Sequence, residues 1–305
     1  NQGRYAKAET LHRDSLAINE KALGPDHPSI AKGLNSLASL YKIQGRYAES
    51  EPLYRRSIAI NEKAFGPNHP DVALGQMNLA TLYKAQGRYA EAERLYETAL
   101  VIYLKALGPN HPNMAVGLNN MANLYRSQQR YDKAELFLVQ SLRIREKAFG
   151  RDHPGVATGL NNLAALYKSQ RQYHEAERLY ERSLKITEKA LGRDHPQVAL
   201  VLSNMANLYK SQRLWKKSFL LQKKTTTLLR RRRDAVSISK SIGADAEHKN
   251  SSIYFSEHAS TAFLLAKSDP SQTVTLHEEA FEVIQLATVS SAGSALAQMT
   301  ALTGG

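Results

Sequence analysis

His-Pro recurs at residues 27–28, 69–70, 111–112, 153–154 and 195–196, each pair 42 residues after the last. A glycine stands three positions before each His, at Gly24, Gly66, Gly108, Gly150 and Gly192. An aromatic keeps the same period at Tyr5, Tyr47, Tyr89, Tyr131, Tyr173 and Trp215. A fixed period without insertion or deletion is the mark of an array in which one supersecondary unit stacks on the next. Each unit reads as two helices. Gly66 supplies the left-handed conformation that ends a helix, and Pro70 suits the first turn of the next, where its missing N–H costs nothing. The spacing predicts helix A from Pro70 to Gln86, with Ala73, Leu79, Ala80, Leu82 and Tyr83 on one face, a break at Gly87, and helix B from Tyr89 to Leu107. Small residues at Ala8, Ser50, Ala92, Ala134, Ala176 and Ser218 let helix B approach its neighbour closely. Neither helix can bury its apolar stripe alone, whereas stacked pairs can. The expected fold is therefore all-α, a solenoid of 42-residue helix pairs followed by a small helical segment.

The string Leu-Asn-Asn-Leu-Ala-x-Leu-Tyr (160–167), then Ala-Glu-Arg-Leu-Tyr (176–180), then Leu-Gly-Arg-Asp-His-Pro (191–196), resembles the tetratricopeptide repeat (TPR). The 42-residue period and the Gly-x-x-His-Pro linker resemble the kinesin-light-chain-like subgroup. The resemblance spans residues 1–234. It implies a right-handed superhelix, a concave groove lined by helix A, and a non-catalytic role in holding peptides or proteins. Gly3-Arg4-Tyr5 aligns with Gly45-Arg46-Tyr47, so the chain opens inside a helix B and repeats are expected upstream. The last repeat decays at Leu214-Trp215-Lys216-Lys217-Ser218-Phe219. Residues 235–305 form the expected linker and helical C-terminal segment. Within it, Glu279-Ala280-Phe281-Glu282-Val283-Ile284-Gln285 and Ser294-Ala295-Leu296-Ala297-Gln298-Met299 resemble the helical region preceding a caspase-like (CHAT) peptidase in bacterial repeat proteins. That resemblance implies a second reading, the regulatory arm of a peptidase whose catalytic domain lies outside this chain.

Helix A has a second face. Eight residues after each repeat Pro stand Ser36, Asn78, Asn120, Asn162 and Asn204, and seven after it Asn35, Met77, Asn119, Asn161 and Ser203. Eleven after it stand Ser39, Thr81, Asn123, Ala165 and Asn207, and fourteen after it Lys42, Lys84, Arg126, Lys168 and Lys210. At 3.6 residues per turn these share a side of the helix. An Asn side chain both donates and accepts hydrogen bonds, so this amide ladder suits the backbone of an extended peptide, and the basic ladder beside it suits acidic side chains or a carboxylate. The competing reading is that the amides bond neighbouring helices and the cations form a solvated face.

Composition narrows the rest. The 305 residues include no Cys, which excludes disulfides, thiolate zinc sites and a Cys nucleophile within them. It fits a reducing compartment, with the cytoplasm as the expected location. The repeat His residues are too far apart to share one metal and read as helix punctuation, with Asp26, Asn68, Asn110, Asp152 and Asp194 offering caps. His248, His258 and His277 lack metal-like spacing. No metal, cofactor or catalytic residue is assigned. The net charge of +13 is uneven: +10 over residues 1–213, +8 over 214–233 and −5 over 234–305. The run holding Lys216, Lys217, Lys223, Lys224 and Arg230 to Arg233 offers a third reading, nucleic-acid binding, against the plainer one of a basic helix end. Tyr41, Tyr83, Tyr125, Tyr167 and Tyr209 read as core. In the tail, residues 234–252 read as a linker or loose helix. A helix over 254–267 is expected with Phe255, Ala259, Phe263 and Leu264 inward, then a break at Asp269-Pro270-Ser271 and a helix from Thr275. Beyond Glu282 the chain is uncharged, but Gln285, Ser290, Ser291, Gly293 and Ser294 argue against a membrane span.

Overall fold

The computed structural model describes residues 2–239 and 244–285. Among these residues there is no strand. The chain forms two compact units, 1–151 and 152–305. The first holds α1 (Gln2–Leu23), α2 (Pro28–Ile43), α3 (Tyr47–Phe65), α4 (Pro70–Ala85), α5 (Tyr89–Leu107), α6 (Pro112–Ser127) and α7 (Tyr131–Phe149). The second holds α8 (Pro154–Ser169), α9 (Tyr173–Leu191), α10 (Pro196–Ser211), α11 (Trp215–Ser239), α12 (Ala244–Ser268), a 3₁₀ turn at Pro270–Gln272, and α13 (residues 273–285). Even-numbered helices from α2 to α10 are the A helices. Within each unit every A helix packs on the following B helix, and successive A helices touch: α2 with α4, α4 with α6, and α8 with α10. This is an all-α solenoid built from the 42-residue unit.

The small positions are where helices meet. Ala92, Ala134 and Ala176 are wholly buried, as are Ser50 and Ser218, whose hydroxyls donate to the Ala38 and Ala206 carbonyls at 2.7 and 2.8 Å. Gly117 permits a second close approach: a Cβ there would lie 2.5 Å from Met77 Cε and 2.7 Å from Leu100 Cδ2. Tyr41, Tyr83, Tyr125 and Tyr209 are buried, as their period predicts, and Tyr167 is half-buried.

Both ends of the A–B linker follow the sequence reading in role and depart from it in detail. Gly66 has φ 86° and ψ 160°, so the helix ends in an extended conformation of positive φ rather than the left-handed helical one. That region is essentially reserved for glycine, which makes the glycine requirement stricter. The N-cap is His and not the Asp or Asn before it. Each of His27, His69, His111, His153 and His195 has extended backbone, and its Nδ1 accepts from the backbone N–H two residues on, at 3.0–3.2 Å. The ring nitrogen thus satisfies a donor that has no partner inside the helix. Replacing His111 by Ala is expected to cost about 1 kcal/mol, and Ser at that position should recover most of it. Urea midpoints of the two variants check this; equal losses would show that His111 acts through packing instead.

The tail differs more. α11 runs past residue 234 to Ser239, and α12 begins at Ala244, ahead of the expected start. In α12, Phe255 and Ala259 are buried, with Ala262, Leu265 and Ala266. Phe263, expected inward, is 46% exposed, because α11 and α13 cover α12 from the side that Ala262 and Leu265 face. The segment Ser294–Met299 lies outside the described residues.

Candidate functional site

The structure brings the amide and basic ladders onto the A helices but gives the amides work of their own. Asn35 Nδ2 donates to Ser57 Oγ at 2.7 Å, and Ser57 Oγ donates to the Ala31 carbonyl at 2.8 Å. Asn78 Nδ2 donates to Asn35 Oδ1 at 3.4 Å, and in the second unit Asn204 Nδ2 donates to Asn161 Oδ1 at 3.0 Å. An Asn eight residues after one repeat Pro thus reaches back to the Asn seven after the previous one. This part of the ladder is a strut between A helices, as the competing reading supposed. For Asn120 the corresponding position of the previous repeat is Met77, which offers no amide. The Asn120 side chain, like those of Asn123 and Asn207, has no hydrogen-bond partner among the described residues and is half-buried. Asn119 and Asn162 are half-buried on the same faces, and Asn161 is buried. Thr81 and Ser39, which stand where Asn123 does, are tied to the Tyr96 and Tyr54 hydroxyls at 2.9 and 2.8 Å.

The cations divide between the units. Lys42, Lys84 and Arg126 are half-buried and have no carboxylate within ion-pair distance among the described residues. Burial lowers the Lys42 ammonium below its ordinary pKa. Burial, then the charges of Arg126 and Lys42, lower that of Lys84. The first unit therefore carries a row of like charges near enough to repel one another, a field that favours an anion. In the second unit Lys168 is half-buried, and Lys210 is occupied: its ammonium lies 3.0 Å from Glu257 Oε2 and 3.4 Å from Ser260 Oγ, both on α12.

The sequence reading missed an apolar row. Leu74 and Val116 in the first unit and Leu200 in the second stand four residues after the repeat Pro and are 44–48% exposed. They sit one turn before the Asn positions. The face thus runs from apolar at the helix start, through amides, to cations at its end. The signal was available, since an apolar residue on an otherwise polar face is informative. In the second unit a cavity of about 170 Å3 opens among α8, α9 and α10, lined by Asn161, Ser183, Thr187 and Leu200.

Also missed was a repeated latch behind this face. Tyr83 Oη donates to Glu51 Oε1 at 2.7 Å and accepts from Arg55 at 2.6 Å, while Arg88 reaches Glu51 Oε2 at 2.9 Å and stacks 3.7 Å from the Tyr83 ring centre. The same set recurs as Tyr41 with Glu9, Arg13 and Arg46, and in shortened form as Tyr125 with Glu93 and Arg130, and Tyr209 with Glu177. Its signal is plain in retrospect: Glu recurs at 9, 51, 93, 135 and 177 on the repeat period.

The basic run on α11 is spread around the helix. Lys217 sits 5.0 Å over the Tyr209 ring, Lys223 pairs with Glu279 at 2.9 Å, and Arg232 donates to the Asp194 carbonyl at 3.2 Å. Consecutive arginines point about 100° apart on a helix, so Arg230, Arg231 and Arg232 do not share one face; the Arg233 side chain is outside the described residues. Among the described residues no group of His, Asp and Glu is arranged to hold a metal ion, and no helix is long and apolar enough to cross a membrane.

The tetratricopeptide-repeat family profile matches residues 1–63, 29–92, 71–147, 118–189 and 155–231. Among solved structures, nearly identical TPR-like repeats assigned to a kinesin light chain of Podosopora anserina are 27% identical, with a TM-score of 0.55 over 66% of this chain and 96% of that one. BtubC (BKLC) from P. vanneervenii is 22% identical, with a TM-score of 0.60 over 74% of this chain and 90% of that one. The apo form of RapI is 16% identical, with a TM-score of 0.59 over 94% and 92%; these last two show likeness of fold alone. No curated protein matches the sequence.

Proposed function

The chain belongs to the tetratricopeptide-repeat family, and from that premise we propose that it is a non-catalytic scaffold holding an extended, acidic peptide of a partner protein along the A-helix face. The observation that carries this reading is the uncompensated row Lys42, Lys84 and Arg126 beside the unpartnered amide of Asn120. A half-buried cation without a counter-ion is costly to keep, and a carboxylate side chain is the natural complement. Asn120 then takes the peptide backbone, while Leu74 and Val116 receive apolar side chains on the other edge. Packed helices lie about 8–10 Å apart and an extended chain rises about 3.3 Å per residue, so each A helix serves about three peptide residues. Lys210 supports the reading from within the chain, since its counter-charge is a carboxylate presented by another segment. We place the end of the repeats near residue 234, with 235–305 as a separate helical segment.

The test is fluorescence anisotropy of labelled acidic and charge-neutral 12-residue peptides with the full chain. Acidic peptides carrying interspersed Leu or Val should bind best. The double variant Lys84→Gln, Arg126→Gln should weaken them about 10- to 100-fold, and Asn120→Ala about tenfold. Equal affinity in all three proteins would return the ladders to a structural and solvated role.

A further inference from the structure

Away from the A-helix face, α11, α12 and α13 enclose a cavity of about 290 Å3 whose walls carry opposite charges. Lys223, Thr226, Thr227 and Arg230 line it from α11, and Glu278, Glu279 and Glu282 from α13. His258 of α12 lies at its floor, 1% exposed and tilted against the Phe219 ring at 5.2 Å.

The protons at His258 can be placed by following its partner. Thr226 Oγ1 is 3.1 Å from both the Gln222 and Lys223 carbonyls, which commits its single proton to the backbone. The same oxygen is 2.9 Å from His258 Nδ1, so Nδ1 carries the ring proton and donates. Nε2 is left with a bare lone pair. Its neighbour is Glu279 Oε1 at 3.3 Å, out of line for a hydrogen bond and itself an acceptor. Burial, against the pull of Glu279 and with the push of Lys223 and Arg230, lowers the His258 pKa well below its ordinary value and favours the neutral ring. Lys223 satisfies only the other oxygen of Glu279, at 2.9 Å. The buried Nε2 therefore has no donor among the described residues and lies against another acceptor, an arrangement that costs free energy until a donor arrives. Across the cavity Arg230 is half-buried, and neither it nor Glu278 or Glu282 has an ion-pair partner among the described residues. The opposite charges line one space without closing it.

We propose that this cavity binds a small zwitterion of the α-amino-acid type. Its ammonium donates to His258 Nε2 and Glu279 Oε1 and lies near Glu282, and its carboxylate pairs with Arg230. An ammonium has three protons to give and no lone pair, so it meets both bare acceptors at once. A guanidinium holds a carboxylate through two parallel hydrogen bonds. The volume is at the small end of ligand cavities, which suits a molecule of amino-acid size rather than a nucleotide.

The experiment is NMR on the full chain, following the His258 ring resonances as each of the common L-amino acids is added at millimolar concentration. At least one should shift the His258 ring saturably. Its N-acetyl form and its methyl ester should each bind about tenfold more weakly, and so should the parent amino acid to Arg230→Gln or Glu282→Gln, two variants at positions that are not fully buried. No shift with any amino acid overturns the proposal. So does a shift that survives both N-acetylation and the Arg230→Gln change, and a methyl ester that binds as well as the acid removes the zwitterion.

Discussion

Replacing Tyr96 by Ala is expected to cost about 3–5 kcal/mol, a large share of what holds a domain together. Tyr96 is 1% exposed and lies in the seam between α4 and α5. Removing its ring deletes apolar contacts and leaves a cavity that the flanking helices can only partly close. The hydroxyl adds a smaller part. Thr81 Oγ1 donates to the Met77 carbonyl at 2.9 Å, so the Tyr96 hydroxyl is the donor in its 2.9 Å bond to Thr81. Tyr96→Phe, which removes only that bond, should cost about 1 kcal/mol. Because stacked repeats are stabilised by nearest neighbours, the damage should be local first. Hydrogen exchange in Tyr96→Ala should quicken most in α4, α5 and α6, ahead of α1 and α2. A loss below that of Tyr96→Phe, or equal quickening in all these helices, would contradict this account. The Gln222 that takes the Tyr96 place in the last repeat shows the same site without an aromatic: it is wholly buried and both amide atoms lack partners among the described residues. Gln222→Tyr is the natural stabilising counterpart.

The second large effect is expected at Glu51. Its carboxylate takes hydrogen bonds from Tyr83, Arg55 and Arg88, tying α3 to α4 and to the turn before α5. Glu51→Ala removes charge-assisted bonds and leaves the buried Tyr83 hydroxyl with Arg55 alone, which should cost about 2 kcal/mol at neutral pH. Burial opposes ionisation of Glu51, but those three donors outweigh it and hold the carboxyl below its ordinary pKa. At the equivalent Glu9 the hydrogen bonds of Arg46, opposed by burial and helped by Tyr41, bring it to about 2. A carboxyl whose pKa is lower folded than unfolded contributes stability that is whole above the unfolded value and fades as pH falls toward the folded one. For Glu9 that window runs from 4.5 down to about 2. Because Glu51 is shifted in the same direction, the stability gap between the parent chain and Glu51→Ala should shrink as pH falls below the ordinary carboxyl value of 4.5. Guanidinium unfolding at several pH values measures it, and a gap that stays constant to low pH would mean that Tyr83 packing, not the charged bonds, is what Glu51 supports.

Much of this molecule was readable along the chain because the determinants are local. A Gly of positive φ, a His-Pro start and apolar residues at helical spacing each act within a turn or two, so helix B at Tyr89–Leu107 was placed to the residue and helix A missed by one. The errors fell where two local solutions compete. Either Asn110 or His111 could cap α6, since both side chains offer an acceptor, and the extended backbone at His111 decided for the ring. Phe263 and Ala262 are adjacent on α12, and only the direction from which α11 and α13 arrive determines which is covered.

By itself, then, the sequence determined the repeat, its helix ends, the stacking of one pair on the next and the face on which amides and cations stand. The tertiary structure decided how those side chains are used. Asn35 and Asn161 became struts while Asn120 did not; Lys210 met Glu257 while Lys84 met no carboxylate among the described residues; and His258 was enclosed with Nε2 unmet among them. The physical reason is distance along the chain. A cap joins residues two apart, whereas these pairings join residues 22 to 47 apart, and hydrogen bonds with a tolerance of a few tenths of an ångström form only once helix packing has set both partners in place.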